Sequence, residues 1–192
     1  MAQKGEQEVQ GPLEALAAAA QGQKGLPPVH LWNPPLCADI GLKIARDGSW
    51  WHQGAPIARP ALVTLFASVL RRGPDGYFLV TPVEKVPVSV EDAPFLAVSM
   101  RESAGELIFR TNLEDEVRVN ADHPLRFEQG DSGGLKPYLR VRADLWALLT
   151  RALAYDLMAR AETRQMNGRE VIGVASGTHF FVMEDGGAPQ QA

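Results

Sequence analysis

The chain has 192 residues, 45% hydrophobic and 22% charged, with a formal net charge of −4. That length suits one ordinary domain or two small ones, with roughly 70% of the unfolded surface buried on folding, and the acidic balance argues against a DNA binder, which carries a basic excess. The lone cysteine, Cys37, excludes an intramolecular disulfide and a cysteine-based zinc site and fits a reducing cytoplasm, while no apolar run of about 18 residues predicts a membrane helix.

Residues 1–26 read as a flexible leader. Its apolar piece, Leu13–Ala20, contains Glu14 and lacks a basic lead-in, so it does not read as a secretory signal. Pro27, Pro28, Pro34 and Pro35 then force an extended arm anchored by Trp32 and Leu36. Alternation predicts a half-buried strand over Ile40–Ala45, an Asp47-Gly48 turn of type I′, and a return strand over Ser49–His52. Arg59-Pro60 opens a helix whose stripe is Leu62, Leu65, Phe66, Val69 and Leu70. Arg71 and Arg72 complement its C-terminal dipole, and Gly73 stops it. Strands follow at Tyr77–Thr81 and around Val86, Val88 and Val90.

The second half predicts strands at Phe95–Met100, Glu106–Arg110, Glu116–Val119 and Tyr138–Val141. A long helix is expected over Ala143–Ala161, with Leu145, Trp146, Leu149, Leu153, Leu157 and Met158 on its buried face. The close is a hairpin, Val171–Ala175 and His179–Met183, turned at Ser176-Gly177. The expected class is therefore α+β, built as two duplicated strand–helix–strand units over residues 27–94 and 95–185. The leader precedes them and a disordered tail, 186–192, follows.

The loudest motif is Gly130-Asp131-Ser132-Gly133-Gly134, the nucleophile signature of chymotrypsin-like proteases, with His52 and Asp92 upstream in the matching order. Leu135 stands where that family wants Pro. The context of His52 is wrong, and a helix is expected where barrel strands are needed, so the segment reads as a Gly-rich surface loop. His30, His52, His123 and His179 show no metal-ligand spacing, and neither a P-loop nor a GxGxxG is present; no metal and no cofactor are expected.

What remains is a set of polar residues at element ends. Arg59 at a helix N-terminus aims a cation at an anion, Trp50 supplies a wall or stacking face, and Thr81, Glu84 and Lys85 add polar contacts. Arg101, Arg110, Arg118, Arg126, Arg140 and Arg142 would favour an anionic ligand if neighbouring strands place them on one face.

The string from Asp39 through DGSWWHQGAPIARPALVTLFASVL to YFLVTPVEKVPVSVEDAPF resembles the bacterial domain of unknown function 1285 family, over about Pro34 to Met183. DGSW with GAPIAR, and LVTPVEKVPV, are its most specific pieces. The resemblance implies two similar strand–helix units, the second pleckstrin-homology-like. It also implies a ligand site between them suited to a nucleotide-based ligand, and a role in signal transduction. Trp50, Arg59, Thr81, Glu84 and Lys85 match its motif positions.

The leading expectation is a cytoplasmic binding protein that takes a small anionic or nucleotide-based ligand through Trp50, Arg59, Thr81, Glu84, Lys85 and Arg140. A signalling partner protein is a possible addition; DNA and membrane are not expected partners. Two alternatives stand beside it: a hydrolase using Glu84, Asp92 and His52 as acid–base groups, and a protein-interaction module using exposed strand edges.

Overall fold

The structure is a computed structural model that describes residues 17–18, 26–130 and 133–185. Most of the expected leader and the tail lie outside these residues; Ala17 and Ala18 are helical. The chain divides into two compact units, Met1–Asp92 and Ala93–Ala192.

In the first unit β1 (Leu42–Ile44), β2 (Trp50–His52) and β3 (Ala55–Pro56) form one antiparallel meander. Helix α1 (Pro60–Ser68) follows, then a second meander of β4 (Leu70–Gly73), β5 (Gly76–Val80) and β6 (Lys85–Val90). A parallel β1–β6 pair joins the two into one sheet, ordered β3-β2-β1-β6-β5-β4. Alternation explains β1, where Leu42 and Ile44 are buried and Lys43 is exposed. Pro60 stands at the first helical position with Arg59 as N-cap, as its fixed φ and missing N–H dictate. Trp50, Phe66, Leu42, Ile44, Leu70 and Leu79 are among the most buried large side chains of this unit.

The second unit uses the same sheet plan. β7 (Phe95–Ser103), β8 (Glu106–Thr111) and β9 (Glu116–Arg118) form one meander. β10 (Leu125–Gln129), β11 (Leu135–Arg142) and β12 (Leu145–Leu149) form the other, and β12 runs parallel to β7. Read from its far edge, the order is β9-β8-β7-β12-β11-β10, the first sheet's order with every index raised by six. After β12 come α2 (Arg151–Met158) and a three-stranded sheet, β13 (Glu162–Met166), β14 (Arg169–Ser176) and β15 (His179–Asp185).

The expected α+β class is overturned: fifteen strands stand against two α-helices, so the described chain is mostly β. What recurs is a sheet topology, not a strand–helix–strand unit, because α1 lies between the meanders of its unit and α2 follows both meanders of the other. The pleckstrin-homology-like description of the second unit falls with it.

The largest single error is the helix over 143–161. Leu145, Ala147 and Leu149 are buried while Trp146 and Leu148 are half-buried, a period of two. Leu145 and Leu149 are also four apart, so helix and strand periodicities coincide in this short apolar run, and partners on both sides settle it as a strand. Similarly, α1 ends at Ser68, and Leu70–Arg72, expected in the helix with Gly73 as its stop, join Gly73 in a strand that pairs residue by residue with β5. The Asp47-Gly48 turn also differs. Only Gly48 has positive φ, the Gly48 N–H donates to the Ala45 carbonyl (2.9 Å), and the Ala45 N–H donates to the Ser49 carbonyl (2.9 Å). This is a three-residue loop ending in a left-handed glycine, not type I′.

Candidate functional site

Arg59 caps α1 and is exposed, with no side-chain partner among the described residues. The amides of Leu62 and Val63 both donate to its carbonyl (3.0 and 3.2 Å), and Pro60 has no N–H. Ala61 therefore carries the one amide of the first turn still open to an anion, fewer than an ordinary helix N-terminus offers.

Trp50 is 2% exposed, and its ring lies 6.2 Å from that of Phe66 at 37°. It is core under α1 and has no free face for stacking on a base. Its indole Nε1 is buried with no hydrogen-bond partner. The Trp50 carbonyl accepts from the Ile57 N–H at 2.7 Å, which continues the β2–β3 pairing toward Arg59.

Thr81 is fully buried. The amides of Val83 and Glu84 donate to its Oγ1 (3.4 and 3.2 Å), and its own N–H donates to the Glu84 carbonyl (2.9 Å). It is the closing device of the β5–β6 loop, and its hydroxyl is fully engaged. Thr111 does the same work after β8: its Oγ1 accepts from Leu113 and Asp115 (both 3.2 Å), and its N–H donates to the Asp115 carbonyl (2.9 Å).

Glu84 and Lys85 are half-buried. The Lys85 ammonium stands 3.8 Å from the centroid of the Phe78 ring, a cation–π contact. The backbone of Lys85 is where the extended arm docks: its N–H donates to the Pro35 carbonyl (3.1 Å), and its carbonyl accepts from the Cys37 N–H (2.8 Å). Arg71, expected at a helix C-terminus, holds the same arm by donating to the carbonyls of Val29 (2.9 Å) and Trp32 (2.8 Å). Sequence reasoning missed this clamp because it depends on Arg71 being in a strand.

The register separates these residues. Ile57 is level with Trp50, and Trp50 with Ile44 and Val90, the last residue of β6, whereas Lys85 is its first. Five residues of strand, about 17 Å, separate the two levels. Arg59 follows the Ile57 end, while Thr81, Glu84 and Lys85 gather at the other. Glu84 and Asp92 likewise flank β6, with more than about 20 Å of strand between them, and His52 is buried between those levels. No acid–base pair forms from these three.

The Asp92 side chain, 5% exposed, faces Arg46 at 3.6 Å. Beside it Glu91 binds the Lys43 ammonium and accepts from the Arg46 N–H (2.9 Å), and these contacts hold its carboxyl below the usual range.

Arg140 belongs to the second unit. Its guanidinium donates to the Ala143 carbonyl, and its own carbonyl lies 3.1 Å from the His123 ring. The five other arginines expected on neighbouring strands do not leave a bare basic face. Arg101 pairs with Glu116 (3.2 Å), Arg110 with Glu114 (2.9 Å), Arg118 with Glu106, and Arg126 with Glu128 (3.0 Å). Arg142 faces Asp115 (3.7 Å) and lies over the Phe95 ring; burial pushes its guanidinium below the ordinary value, opposed by Asp115.

The Gly-rich segment 130–134 is the β10–β11 hairpin loop, closed by Gly130 and Gly134 (2.6 Å); Asp131 and Ser132 lie outside the described residues. Among the described residues no cluster of His, Cys, Asp or Glu suits a metal ion, and no helix is long and apolar enough to cross a membrane.

A protein of Silicibacter pomeroyi DSS-3, solved at 2.50 Å and described as a DUF1285 family protein, is 43% identical over 89% of this chain and 95% of its own, with a TM-score of 0.79. A DUF1285 family protein of Shewanella baltica OS155, solved at 1.40 Å, is 32% identical over 60% of this chain and 88% of its own, with a TM-score of 0.49. No protein of curated function matches. Residues 27–93 match the N-terminal domain of the family described as domain of unknown function DUF1285, and residues 94–183 match its C-terminal domain. Together these matches span most of the sequence, and the chain belongs to the DUF1285 family.

Proposed function

We propose that this protein is a binding module for a small anionic, nucleotide-derived ligand, and that ligand occupancy is passed to a signalling partner. The observation that carries the reading is Arg59: an exposed guanidinium at a helix N-cap, beside the open Ala61 amide, with no partner among the described residues. An unpaired cation next to a free N–H suits a phosphate oxygen, which accepts from both at once.

The roles of the other residues follow from their surroundings. Trp50 positions α1 from beneath. Thr81 holds the loop that presents Glu84 and Lys85, which supply a second, separate set of polar groups. Of Arg101, Arg110, Arg118, Arg126, Arg140 and Arg142, Arg140 is the one whose contact is a backbone carbonyl and not a carboxylate.

A ligand that binds only the folded state raises the melting temperature. Thermal-shift titration with nucleotides and cyclic dinucleotides is expected to give a shift that Arg59→Ala abolishes and Trp50→Phe preserves. No shift with any of them, or one that survives Arg59→Ala, overturns the reading.

A further inference from the structure

Every residue from Glu162 to Glu170 is exposed, covering all of β13, the turn and the start of β14. The turn residues Asn167 and Gly168 both have positive φ (52° and 77°), and Met166 pairs with Arg169, so this is a two-residue type I′ hairpin. β13 is the edge of its sheet, held by backbone pairing and the turn, with no buried side chain of its own. Such an edge is a template for another strand.

The register shows which strand fits. Met166 and Arg169 flank the turn and exchange both hydrogen bonds. Arg164 and Glu162 therefore also direct their amides to β14, and Thr163 and Gln165 direct theirs outward. An antiparallel copy of β13 centred on Thr163 places Thr163 opposite itself as a doubly bonded pair. Each Gln165 N–H then meets the Ala161 carbonyl of the other copy. The Ala161 N–H is already given to the Met158 carbonyl (3.0 Å), so the ladder has four bonds.

In this register Glu162 of each copy stands opposite Arg164 of the other, as a non-hydrogen-bonded pair with Cα atoms about 4.5 Å apart. The two side chains share one face and already meet within the strand at 2.5 Å, where Arg164 also lies over the Phe180 ring. Centring the pair on Arg164 would instead set two guanidinium groups face to face. Charge complementarity therefore selects the Thr163 register.

We propose that β13 is a self-association edge: two copies of this chain pair antiparallel about Thr163 and join their three-stranded sheets into one six-stranded sheet.

Sedimentation equilibrium of the full chain, from micromolar to millimolar concentration, tests this. A monomer–dimer equilibrium is expected. Thr163→Pro removes an outward amide without touching the β14 ladder and abolishes the dimer. Glu162→Arg and Arg164→Glu each oppose like charges and weaken it about tenfold, equivalent to about 1.4 kcal/mol. Mixing these two single variants sets unlike charges opposite each other again, so a heterodimer forms. A monomer at every concentration overturns the proposal, as does a dimer indifferent to Thr163→Pro. Failure of the mixed Glu162→Arg and Arg164→Glu variants to form a heterodimer, while the parent dimerises, also overturns it.

Discussion

Ser176 is fully buried and joins two sheets through one oxygen: its hydroxyl donates to the Val119 carbonyl (2.9 Å) and accepts from the Leu107 N–H (3.0 Å). Read in sequence, Ser176-Gly177 is a plain turn, because nothing local shows that residues 57 and 69 positions earlier supply its partners. Ser176→Ala is expected to cost about 1–3 kcal/mol in denaturant unfolding, since a buried carbonyl loses its donor and a buried amide its acceptor. The same blindness affected Thr81, legible as a polar residue at a strand end but not as one whose oxygen is spent on two amides. Glu91 allows a test by pH. Its folded carboxyl titrates below the unfolded value of ~4.3, so its stabilisation is fully present above that value and is lost as pH falls through the lower folded one. Replacement by Gln is expected to flatten the melting temperature between about pH 5 and pH 3, with salt reducing the difference because the pair is exposed.

At the scale of elements, short strands were readable: Leu42–Ile44 and Lys85–Val90 from alternation, and Glu106–Thr111 from its apolar run Leu107–Phe109. Leu145–Leu149 was not, because its spacing serves both periods and only its neighbours β7 and β11 choose between them. Nor was β13, whose residues are all exposed and so carry no burial pattern. Gly173 tests the β14–β15 pairing. A Cβ there would lie 2.4 Å from the Phe181 carbonyl oxygen and 2.8 Å from the Phe180 ring. Gly173→Ala is expected to destabilise by about 3 kcal/mol, measured by chemical denaturation, because backbone has to move to relieve the overlap.

At the scale of the whole molecule, the two units share a six-stranded plan: a pair of three-stranded meanders joined through the parallel pairing of the first and last strands. Helices were expected to mark the repeat, yet they occupy different places in it. Loss of the ligand-induced thermal shift in Arg59→Ala, with that shift intact in Trp50→Phe, would separate a surface cation that meets ligand from an indole that only supports its helix.

The sequence alone determined the family, through DGSW, GAPIAR and LVTPVEKVPV. It also determined the place of α1, because Pro60 fixes a helix start by its own covalent geometry. Strand or helix at Leu145–Leu149, clamp or dipole partner for Arg71, core or ligand wall for Trp50, and the separation of Arg59 from Lys85 were decided by tertiary structure. Each depends on which strand lies alongside, and hydrogen bonds between strands distant in sequence leave no local imprint on the residues that make them.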